Sequence, residues 1–94
     1  MSRNKDYEDR HRPFRVSGVS LRGSRVVLDL VDTGETGRSY TARLSKSRVD
    51  EFLARNEINY ENLNGSSVVA NVRERAGNAS TVTELVGMAS QAAL

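Results

Sequence analysis

The chain has 94 residues, with 14 Lys and Arg against 12 Asp and Glu for a net charge of +2, so it fits one domain with a single small core. With no cysteine, disulfides and thiolate metal sites are excluded. No apolar run approaches the roughly 20 residues needed to span a bilayer, and residues 1–12 are charged without an apolar stretch, so neither a membrane nor a secretory signal is expected and a cytoplasmic setting is.

Residues 1–13 are polar, of mixed charge and aperiodic, and they end at the only proline. They read as a flexible charged arm. Residues 14–21 read as the first strand. Phe14 and Val16 are expected to face one way and Val19 and Leu21 the other, with the switch at Ser17-Gly18. A glycine at such a switch predicts a bulge that lets one long strand serve two sides of a barrel. Arg22-Gly23-Ser24 is a turn. Residues 25–32 form a second strand with apolar residues on both parities, as a central strand requires. A loop with Gly34 and Gly37 follows. Residues 38–44 alternate cleanly, with Tyr40, Ala42 and Leu44 inward, which predicts one wet face.

Residues 44–56 carry the clearest helical signal. Val49, Phe52 and Leu53 stand at i, i+3 and i+4 and share one face. Ser47 with Asp50 fits a capping box. Ser45 is the other candidate cap, placing Leu44 and Val49 at the positions of a hydrophobic staple. Arg55 suits the last turn, and Asn56 suits the left-handed stop. A single helical turn is expected over residues 60–63. A fourth strand spans residues 66–75, with Val68, Ala70 and Val72 inward and Asn71, Arg73 and Arg75 outward. A hairpin turn over residues 76–79 leads into a fifth strand over residues 81–86, through Val82 and Val86, that Gly87 ends. Residues 88–94 form a tail.

Three strands, one helix and two strands make a mainly β domain over residues 14–87. The position of the helix is that of the OB-fold, where it plugs the end of a small five-stranded antiparallel barrel. The alternative is an α+β roll with the helix on one sheet face.

No catalytic motif emerges. The single histidine, His11, sits in the arm with nothing to orient it. Asp29 and Asp32 are three apart and so point to opposite faces of a strand, which argues against shared metal ligation. Gly34-x-x-Gly37 leads into a strand rather than a helix, so it is hairpin chemistry and no phosphate cradle. The expectation is a non-catalytic binding module with no cofactor and no metal.

Charge distribution favours nucleic acid as the partner. Residues 1–56 hold 12 Lys and Arg against 8 Asp and Glu, residues 57–94 hold 2 against 4, and 12 of the 14 basic residues are arginine. Arginine makes bidentate contacts with phosphate. Arg10 and Arg12 in the arm, Arg22 and Arg25 at the turn, Arg38 and Arg43 on the third strand and Arg73 and Arg75 on the fourth are the candidate contacts. Aromatics are only 5% and leave no stacking platform, so duplex or structured RNA is a better ligand than a single strand. The rival is a protein partner, or a second copy of the chain. Val27, Val31, Val69, Leu85 and Met88 would form its apolar patch. Such a subunit, inhibitor or virus-encoded accessory or structural protein would also be small and lack an enzyme signature.

Overall fold

The computed structural model describes residues 7–34, 36–75 and 80–89. Five antiparallel strands make one sheet in the order β3-β2-β1-β4-β5. They are β1 (Tyr7–Arg22), β2 (Arg25–Asp32), β3 (Ser39–Ser45), β4 (Ser67–Arg75) and β5 (Ser80–Met88); α1 (Lys46–Asn56) and α2 (Tyr60–Leu63) lie between β3 and β4. The two ends of this order, β3 and β5, approach one another without pairing, and α1 packs against both and against β2. The sheet is thus curled into a half-barrel with a helix at its seam, an OB-like arrangement rather than the roll.

The 16-residue β1 makes the curl possible. Its residues 14–22 pair with β2 and residues 7–15 pair with β4. The register shifts between Val16 and Gly18, leaving Ser17 unpaired in a bulge. The bulge corrects one expectation. Val19 and Leu21 do not turn to the opposite face. They pair with Leu28 and Val26, both fully buried, so the extra residue returns them to the side of Phe14 and Val16. A Cβ at Gly18 would stand 2.8 Å from the Asp29 carboxylate, so a larger residue would push that exposed side chain aside.

Residues 7–13, read as part of a flexible arm, are strand. Asp9, Arg10 and Arg12 each have an answering group elsewhere in the fold. Asp9 stands opposite Arg73 in register and accepts from its Nε at 2.9 Å, Arg10 reaches Glu74 at 3.3 Å, and Arg12 reaches Asp32 at 3.5 Å. Arg73 lies over the Tyr7 ring at 4.0 Å. Opposite-charge cross-strand pairs contribute about 0.2–1 kcal/mol each, and pairing also satisfies the backbone.

A second parity error falls on β5. Its register shifts between Asn71 and Val72 and again between Val69 and Ala70, so Thr83 and Val86 are bulged out. Val82 and Leu85 therefore both enter the core, at 3% and 8% exposure, while Val86 is exposed. Gly87 does not end the strand, which runs to Met88. The turn over residues 76–79 and tail residues 90–94 lie outside the described residues.

The apolar stripe of α1 is buried as its spacing requires. Ser45 is the N-cap residue, but its hydroxyl bonds Ser47 Oγ at 2.9 Å instead of a backbone amide, so no capping box forms. The helix start is held instead by the Lys46 N–H donating to Ser24 O in the β1–β2 turn. Glu57, not Asn56, takes the left-handed stop at φ 58°. Asn56 uses its side chain to cap Phe52 O at 2.8 Å.

The Tyr60 hydroxyl ties α2 to α1, donating to Asp50 Oδ1 at 2.5 Å, while Lys46 Nζ donates to Oδ2 at 3.0 Å. Burial, reinforced by this hydrogen bond, pushes the Tyr60 phenol from 10.0 up to about 12. The Tyr60 and then the Lys46 hydrogen bonds hold Asp50 below its usual 3.8. The raised Tyr60 value means its contribution is complete below pH 10 and lost as pH rises towards about 12. The depressed Asp50 value means its contribution is present above 3.8 and lost as pH falls below. The stability difference between the protein and Tyr60→Phe should therefore shrink in urea melts between pH 10 and about 12. A difference that stays constant across that window would show that the fold does not raise the Tyr60 phenol.

Candidate nucleic-acid interface

Residues paired across antiparallel strands point to the same side, so the register defines the outer face of β1, β2 and β3 row by row. Arg25 lies between Arg22 and Ser45, Val27 between Ser20 and Arg43, Asp29 between Gly18 and Thr41, and Val31 between Arg15 and Ser39. Four arginines share this face with one carboxylate. From Arg25 to Val31 it runs about 20 Å at the strand rise of about 3.4 Å per residue. Arg38 is exposed just before β3. None of Arg15, Arg22, Arg25, Arg38 and Arg43 makes an ion pair among the described residues.

The other four candidate arginines are engaged. Arg10 bridges Glu8 at 3.4 Å and Glu74 at 3.3 Å, and Arg73 is held by Asp9. Asp9 raises the Arg73 guanidinium further above its already high value, through the hydrogen bond first. Arg75 lies over the Tyr7 ring at 5.8 Å. Arg12 is on the core side beneath Phe14, against Asp32, whose side chain is fully buried. Asp32 also accepts from the Gly34 N–H at 2.8 Å and Thr36 Oγ1 at 3.1 Å, so the glycine loop closes over this carboxylate. Arg43 and Arg73 do not lie on adjacent strands, because β2 and β1 separate β3 from β4. The fold thus leaves Arg22, Arg25, Arg38 and Arg43 without an ion pair among the described residues on the β1–β2–β3 side, whereas Arg10, Arg12 and Arg73 are ion-paired and Arg75 lies over the Tyr7 ring. Arg15 was missed, although its alternation with Phe14 and Val16 already places it outward.

The apolar candidates do not form one patch. Leu85 is in the core and Met88 packs against it, while Val27, Val31 and Val69 are half-buried on the outer face. Asp29 and Asp32 do fall on opposite faces. Among the described residues, no group of three or more His, Cys, Asp and Glu is placed to hold a metal ion, and no helix is long and apolar enough to cross a membrane. His11 stands on β1 opposite Asn71, exposed. Asn71 itself was expected outward in solvent but is buried, its Nδ2 donating to Thr83 Oγ1 at 2.8 Å.

The aromatic rings are occupied elsewhere. Phe14 and Phe52 are core, Tyr40 meets Phe14 edge-on with centroids 5.4 Å apart, Tyr60 bonds Asp50, and Tyr7 lies under Arg73. None is on the arginine face. Comparisons with protein-family models, curated proteins and solved structures find no match, so function has to be argued from the site.

Proposed function

We propose that the protein is a non-catalytic module that binds nucleic acid through phosphate contacts on the outer face of β1, β2 and β3. The observation that carries this reading is the separation of paired from unpaired arginines. An arginine already matched to a carboxylate would have to give up that partner to meet a phosphate. Arg15, Arg22, Arg25 and Arg43 have no such partner and face the same way. The strand 2 and 3 face of OB-folds is also their usual ligand surface, which agrees in position though fold alone is a weak guide to function.

The chemistry of the face sets the ligand. With no ring to stack on, single-stranded bases gain little there. Guanidinium forks suit phosphate oxygens, so the face favours the regular backbone of a duplex or a structured RNA over any sequence. Binding of this kind releases counterions and weakens as salt rises. If about four phosphates are neutralised, log K should fall with log salt at a slope of about −3.6 on duplex DNA. An electrophoretic shift at low salt that fades by about 0.3 M is expected. No shift with either duplex DNA or structured RNA at low salt would overturn the proposal.

A further inference from the structure

The seam between β3 and β5 has no role in the fold beyond the packing of α1, yet it is not flat. A cleft of about 410 Å³ opens there, within the size range of small-ligand sites. Leu44, Val49 and Leu85 give it an apolar floor, and each is at most 8% exposed. Arg43, Arg48 and Arg55 stand around it. Arg48 is drawn to Glu84 at 3.8 Å, whereas Arg43 and Arg55 make no ion pair among the described residues. Glu51 completes the wall.

Arg43 belongs to both surfaces. It lies beside Val27 on the outer arginine face and lines the cleft on the other side of the β3 edge. A backbone held at Arg43 therefore runs beside the cleft. Guanidinium planes stack on unpaired bases, an apolar floor accepts the opposite base face, and a carboxylate accepts from an exocyclic amine. We infer that the seam cleft takes a single unpaired nucleotide, from a bulge, loop or overhang, of a nucleic acid whose backbone lies on the outer face. This inference rests on the proposed function and narrows its ligand to duplex carrying an unpaired nucleotide.

Fluorescence anisotropy with two labelled probes tests it: a blunt duplex, and the same duplex with a short single-stranded overhang. The overhang probe should bind about fivefold tighter or more, the lower end of what one stacked base contributes. Arg55→Gln together with Glu51→Gln should close the gap between the probes, whereas Arg25→Gln should weaken both alike. These side chains are exposed, so the variants fold. Equal affinity of the protein for both probes would overturn the inference and leave the outer-face reading standing. A preference that survives the Arg55 and Glu51 changes would also overturn it. No binding of either probe at low salt would overturn both readings.

Discussion

Replacing Phe52 with alanine is expected to lower stability by about 3–5 kcal/mol. Phe52 is 2% exposed and belongs to the same core cluster as Val49, Leu53, Leu44 and Leu85. It lies on the one apolar stripe of α1, the helix that packs where β3 and β5 fail to pair. Removing the ring leaves a void at the seam that backbone hydrogen bonds cannot close, because there are none between those two strands. Domains of this size have total stabilities of about 5–15 kcal/mol, so the variant should sit near the edge of folding. Urea denaturation gives the change directly. An unchanged midpoint would mean that the half-barrel does not depend on its helix.

The second large effect is expected at the opposite charge balance, a buried one. Arg12 bridges Asp32 at 3.5 Å, with side-chain exposures of 18% and 0%. Arg12→Ala leaves a carboxylate in the core with one strong neutraliser gone, and breaking a buried pair in this way costs about 3–5 kcal/mol. The cost comes from the stranded charge more than from the lost contact. The double variant Arg12→Met with Asp32→Asn should therefore be more stable than Arg12→Ala alone, since asparagine still accepts from Gly34 and Thr36 without carrying charge. A double variant less stable than the single one would show that the ion pair itself, not its broken half, governs the site.

What could be read from the chain follows how local each signal is. Val49, Phe52 and Leu53 announce their helix face through spacing alone. Tyr60–Leu63 forms the single expected turn, with the Asn59 side chain accepting from the Asn62 N–H. The bulge in β1 was marked by Gly18. The bulge at Thr83 carries no such mark, so strict alternation from Val82 puts Leu85 outward although it is buried. Residues 7–13 look like an arm because their charges find their partners at positions 32, 73 and 74, far along the chain. Composition sees the charges and not the pairing.

The same limit applies to the candidate interface. Arginine bias was visible, but which arginines are spent internally depends on the β1–β4 register. Arg48 and Arg55 read as a solvated helix surface until α1 is placed beside β5. The engaged arginines are those expected in the arm and on the fourth strand, so the expected surface narrows to strands β1, β2 and β3.

The most direct test compares two charge-matched double variants on a labelled duplex over a range of salt. Arg25→Gln with Arg43→Gln and Arg10→Gln with Arg73→Gln each remove two positive charges. The second pair lies in exposed ion pairs whose loss costs little stability, about 0–1 kcal/mol each. The outer-face account predicts that the first variant loses affinity and that its salt slope falls by about 2, one for each phosphate contact. The second should bind almost as the unaltered protein does. Equal losses in both variants would mean that net charge, not the unpaired face, attracts the nucleic acid, and would contradict the account.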